Sequence, residues 1–228
     1  MKNKFLLIET STKSCSVALA EDQVIIDSID EVSDKYLHSE KLHPFIDEIL
    51  RRNRWQASDL CAVGVGKGPG SYTGLRIGVS AAKGICYALR IPLIAIGSLE
   101  ILARGVTANQ GYIVPMIDAR RMEAYTAVFD SSYRKVREVK AEILDERSFN
   151  AYLEKNKVFF TGDAVTKARD VIEHPNAVFT RHFYPSAKDM LVPFYEKWQA
   201  KAFEDTAYFE PFYLKDFIAK KKKNILGR

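Results

Sequence analysis

The chain has 228 residues, enough to bury an apolar core as one domain or as two small ones packed together. Hydrophobic residues make up 47% and charged residues 28%, which excludes disordered and collagen-like chains, and the net charge of +5 favours an anionic partner. Three widely separated cysteines, Cys15, Cys61 and Cys86, form no CxxC pair; this excludes a disulfide framework and a zinc knuckle and fits a reducing compartment. Phe5–Ile8 is too brief an apolar run for a secretion signal, and no membrane-spanning stretch follows, so the expected location is the cytoplasm. Much of the positive excess lies in Lys220–Lys223, which reads as a solvated tail or as a patch for nucleic acid.

Short β-type runs at Phe5–Thr10, Cys15–Ala20 and Val24–Ile26, separated by turn residues, predict an antiparallel meander. Leu42, Phe45, Ile46, Ile49 and Leu50 then recur at helical spacing, with Pro44 expected in the first turn or at a bend. Leu60–Val65 reads as a buried strand, and the glycine-rich run from Gly66 to Thr73 leads into a helix over about Thr73–Leu89. Gly74, Gly78 and Ala82 share one face of that helix. Each glycine costs about 1 kcal/mol relative to alanine, so the face is expected in a tight contact, inside the fold or across an interface. Ile91–Ile96 predicts a further strand, and Ser98 a helix N-cap.

Tyr112–Ile117, Glu123–Phe129 and Val136–Val139 predict a second meander, followed by a helix near 146–154, a strand at Val158–Phe160 and a helix near 188–203. Val171–Pro185 carries no clear pattern. Meander, helix, strand, helix and strand, followed by a second meander, describe a duplicated α/β unit rather than one Rossmann sheet, with lobes at 1–105 and 106–228.

Two loops are compatible with phosphate. Gly66, Gly68 and Gly70 precede Ser71 at a helix N-terminus, but the run matches neither a Walker loop nor GxGxxG, and a tight packing turn explains it equally. Glu9-Thr10-Ser11-Thr12 offers hydroxyls beside a carboxylate that could hold a magnesium-bound water; ordinary turn chemistry is the plainer reading. His38 and His43 are five positions apart, about 140° around a helix, which argues against a shared metal. No nucleophile with a base partner stands out, so no catalytic residue is assigned.

Ile8-Glu9-Thr10-Ser11, Cys15–Leu19, His38-Ser39-Glu40 and above all the run Gly66–Gly78 are together similar to the TsaB (YeaZ) family, related to the TsaD glycoprotease-like superfamily. The likeness continues through Asp118-Ala119-Arg120, Glu123 and Tyr125 to Pro211–Lys215. It implies the actin-like ATPase fold, related to ribonuclease H, with two lobes that each carry a mixed sheet and flanking helices. It also implies a non-catalytic subunit acting beside a TsaD-like transferase and a TsaE-like ATPase, which place a threonylcarbamoyl group on N6 of adenosine 37 in tRNAs reading ANN codons. Transfer RNA would be reached through that complex, and a homodimer would form without the partner.

In such proteins the first two helices build a four-helix bundle with the partner, which maps onto Leu42, Phe45, Ile49, Gly74, Arg76, Gly78 and Ala82. The phosphate candidates are Thr10, Ser11, Thr12, Gly68, Gly70 and Ser71. No metal is implied for this chain, and ATP or ADP is implied only at the partner interface. Glu9 stands where the family commonly has aspartate. Two competing readings are a metallopeptidase, for which no ligand set is visible, and an actin-fold small-molecule kinase, for which Asp118 is the one candidate base and Arg120 its alternative structural partner.

Overall fold

A computed structural model describes residues 2–33 and 37–215, so Lys220–Lys223 lie outside the described residues. The first sheet contains β1 (Lys4–Glu9), β2 (Ser14–Glu21), β3 (Val24–Val32), β4 (Ala62–Gly66) and β5 (Leu93–Ile96) in the order β3-β2-β1-β4-β5. The second contains β6 (Tyr112–Asp118), β7 (Glu123–Asp130), β8 (Lys135–Ile143), β9 (Val158–Thr161) and β10 (Ala177–Phe179) in the order β10-β9-β6-β7-β8. Read from the opposite edge, the second order repeats the first, strand for strand. In each sheet the meander pairs antiparallel and the two later strands join in parallel. This duplication is the actin-like α/β architecture that the sequence resemblance implies.

The two copies differ in their helices. In the first, α1 (His38–Arg52) and α2 (Tyr72–Leu89) have 15 and 18 residues. Their counterparts, α4 (Asn150–Leu153) and α5 (Val165–Arg169), have only 4 and 5. Leu42, Phe45, Ile46 and Ile49 of α1 and Val79, Ala82 and Cys86 of α2 pack on Leu6, Ile8, Val17 and Val63 of the first sheet. Pro44 lies in the second turn of α1, on its exposed side, where the lost N–H bond falls next to water.

The remaining helices cross between lobes. Helix α3 (Ser98–Arg104) follows β5 but sends Leu99, Leu102 and Ala103 onto Ile113, Ile117, Ala127 and Phe129 of the second sheet. Helix α6 (Leu191–Gln199) follows the second sheet and returns to the first, where Phe194 and Trp198 stand edge-on to Phe5 at 4.9 and 5.2 Å. The strands after residue 105 all lie in the second sheet, whereas the last helix packs on the first. Beyond α6, residues 204–215 run as a strap over the first lobe. Glu204 N–H bonds to Leu93 O, Lys83 Nζ donates to Ala207 O and Phe209 O, and Phe212 N–H donates to Lys67 O. Among the described residues, no helix is long and apolar enough to cross a membrane.

Candidate functional site

The β1–β2 turn and the glycine loop close on each other. Thr10, Ser11 and Thr12 are buried. Thr10 Oγ1 donates to Gly74 O at 2.8 Å, Ser71 N–H donates to Ser11 O at 2.6 Å, and the His38 ring meets Thr12 O at 2.7 Å. A methyl group at Gly70 would overlap Ser11 O, so the loop lies directly on the turn where a phosphate would have to enter. Thr10 Oγ1, Ser11 O and Thr12 O are thus bonded within the chain and, among the described residues, Ser11 Oγ is buried without a hydrogen-bond partner, so the buried, covered turn argues against the phosphate reading of Thr10, Ser11, Thr12 and Gly70.

Gly68 N–H goes to Ser98 Oγ, and Gly68 O accepts from Ser98 N–H, which ties the loop to α3. Ser71 is the N-cap of α2, its hydroxyl accepting from Gly74 N–H. Ser98 is the first residue of α3 rather than its cap, because its hydroxyl is committed to Gly68 and, at 3.4 Å, to Glu9.

Glu9 is fully buried, its carboxylate against the Cα of Gly66. Burial pushes its pKa up to about 7, against the lowering effect of hydrogen bonds from Ser11 and Ser98. A carboxyl group enclosed in this way does not face a space that could hold a hydrated magnesium ion.

The small-residue face of α2 also turns inward. A methyl group at Gly74 would overlap Thr10 O, and one at Gly78 would overlap Thr10 Oγ1. Ala82, Leu42, Phe45 and Ile49 are buried in the core of the first lobe. This corrects the assignment of Leu42, Phe45, Ile49, Gly74, Gly78 and Ala82 to a docking surface. Of the seven interface candidates, only Arg76 is exposed.

What α2 shows to solvent is a different stripe: Thr73, Arg76, Ser80, Gly84 and Tyr87. Tyr87 is 83% exposed, and among the described residues nothing lies within 4 Å of where a Cβ on Gly84 would stand. Gly84 follows Gly74 by ten positions, which at about 100° per residue leaves it about 80° off the inward face. That rotation was available from the sequence, and it separates the glycine that needs room inside from the one that does not.

Three segments that carry the family likeness converge at the N-terminal end of α2. The Tyr72 and Tyr213 rings lie 4.6 Å apart, Arg76 sits 4.1 Å over Tyr72 and bonds to the hydroxyls of both, and Lys215 pairs with Glu123. Arg76 therefore pins the strap as well as facing solvent. The β6–β7 hairpin tip adds Arg120 and Arg121, both at positive φ. Asp118 pairs with Lys167 at 2.8 Å and accepts Arg120 N–H at 2.6 Å, so its side-chain partner is the lysine and not the guanidinium of Arg120. His38 is buried and His43 exposed, on different sides of α1. Among the described residues no group of three or more His, Cys, Asp or Glu is placed to hold a metal.

A family model described as TsaD, tRNA N6-adenosine threonylcarbamoyltransferase, matches residues 31–223. TsaB of Bacillus subtilis is 41% identical over 125 residues, 54% of each chain, and TsaB of Escherichia coli is 32% identical over 128 residues, 55% of this chain and 54% of that one. These two matches thus span about half the length of the relatives. TsaB of Buchnera aphidicola from Acyrthosiphon pisum is 28% identical over 201 residues, covering 85% of this chain and 89% of its own. The solved structure of YeaZ from Pseudomonas aeruginosa superposes with a TM-score of 0.81 at 26% identity, covering 93% of this chain and all of that one. The chain belongs to the TsaD family, and the three curated relatives named above are TsaB proteins.

Proposed function

We propose that this chain is a non-catalytic activating subunit in the formation of threonylcarbamoyladenosine on tRNA, docking a TsaD-like catalytic subunit through the outward stripe of α2. In this reading a TsaE-like ATPase and tRNA join through the complex, the chain pairs with itself when the partner is missing, and any ATP or ADP sits at the partner interface. The names of the relatives support this reading of the pathway, and one observation supports this reading of the surface. Gly84 stands mid-helix with open space at its Cα, beside the exposed Tyr87. A glycine there weakens the helix by about 1 kcal/mol and, among the described residues, has no compensating contact. A closely approaching helix outside the chain would use the space that any larger residue fills.

The test separates stability from pairing. Gly84→Leu is expected to raise the stability of the isolated chain by up to about 1 kcal/mol in urea unfolding. The same variant should no longer co-purify with the TsaD-like subunit, nor restore adenosine modification in cells lacking this chain. Full pairing and full modification by Gly84→Leu would overturn the proposal.

A further inference from the structure

A cavity of about 460 Å³ opens between the lobes, a volume suited to a small molecule. Its apolar walls are Leu99 of α3, Phe129 of β7, Tyr133 from the β7–β8 turn, and Phe212 of the strap. Phe212, one of the lining residues, is 40% exposed. The Phe212 N–H bonds to Lys67 O at 2.7 Å, so these two lining residues are joined by a backbone contact.

The charges lining the cavity leave one positive charge in excess. Lys135 and Glu138 neutralise each other at 2.6 Å. Lys67 and Lys197 remain, opposed by Glu100. Lys197 reaches in from α6 and donates one bond, at 2.7 Å, to Ala95 O, leaving two of its three donor protons uncommitted by that bond. The Lys67 ammonium makes no hydrogen bond or ion pair among the described residues. Burial, and then the charge of Lys67, lower the pKa of Lys197, which places the two ammonium groups within electrostatic reach of each other. A ligand anion between them would relieve that repulsion, while their alkyl stems continue the apolar wall.

We propose that this cavity binds a small organic monoanion with an aromatic body, its acid group between Lys67 and Lys197 and its ring against Phe129, Tyr133 and Phe212. None of the residues lining the site belongs to the docking stripe on α2 or to the β1–β2 turn, and all of them come from one chain. A single excess positive charge suits a carboxylate better than a multiply charged phosphate, and three rings around the opening suit a planar body better than a flexible chain.

The experiment uses the full isolated chain, isotope-labelled on its methyl groups, titrated with N-acetyl-tryptophan and separately with its neutral amide. The acid should shift the methyl signals of Leu99 and Val139 saturably and bind about tenfold more tightly than the amide, which replaces a charged accepting oxygen with a neutral donating NH2. Lys67→Gln should weaken the acid about tenfold and leave the amide unchanged. Lys155→Gln, on the exposed side of the second lobe, should change neither. Equal affinity of acid and amide, saturable shifts confined to another part of the chain, or no saturable shift at millimolar probe would each overturn the assignment. The comparison of the two probes on the unaltered chain requires no variant to fold.

Discussion

Gly74 and Gly78 lie one turn apart on α2, yet they meet different neighbours, and the difference sets the cost of enlarging each. An added methyl at Gly74 runs into the backbone oxygen of Thr10, whereas at Gly78 it meets the Thr10 hydroxyl, a side-chain group that moves away by giving up its bond to Gly74 O. Gly74→Ala is therefore expected to destabilise the chain by about 2–3 kcal/mol and Gly78→Ala by less, with urea midpoints giving the ranking. Glu9 gives a pH signature. Its folded pKa of about 7 lies above the ordinary carboxylate value, so the folded state holds a proton that the unfolded state has released. Its contribution to stability is therefore full below about pH 4.3 and declines as pH rises towards 7. Glu9→Gln should flatten that part of the stability profile and exceed the unaltered chain at pH 8 by about 1–3 kcal/mol, read from urea unfolding at stepped pH. The sequence marked these glycines as needing a close neighbour and Glu9 as unusual. It could not give their orientation, because a helix face is small for the same reason whether the approaching backbone belongs to its own chain or to another.

Helices with a strong apolar stripe were legible almost to the residue, as α1 and α2 show, because burial against a sheet imposes a period that side-chain type records. Elements at edges were harder. Strand β3 continues six residues past Ile26 through Asp27, Ser28, Asp30 and Glu31, since its outer side faces water and tolerates charge. Strand β10 escaped entirely: Ala177–Phe179 is three half-buried residues, paired in parallel with β9 alone. The strap has no periodicity at all, and its position depends on contacts such as Lys83 to the carbonyls of Ala207 and Phe209. Lys83→Met should release it locally. Limited proteolysis within residues 204–210 is expected to speed up several-fold, while the global unfolding midpoint shifts by less than about 1 kcal/mol equivalent.

The duplicated unit was visible in the order of strands and helices, but the crossing of α3 and α6 was not. Nothing in the apolar pattern of Leu191, Phe194 and Trp198 says which sheet they cover, and a division at residue 105 would expose Phe5, Leu7, Ile94 and Ile96. A fragment ending at residue 105 is accordingly expected to lack cooperative thermal unfolding and to bind a hydrophobic dye, while the intact chain unfolds in one transition. Two resolved calorimetric transitions would contradict this coupling. The exchange of helices also bears on how a ribosome delivers the molecule. Residues 98–179, which contain α3 and the whole second sheet, emerge as one uninterrupted stretch and can mature as soon as they clear the exit tunnel. The first sheet, though translated earlier, must wait with one flank bare until α6 appears, so the half made first is the half finished last.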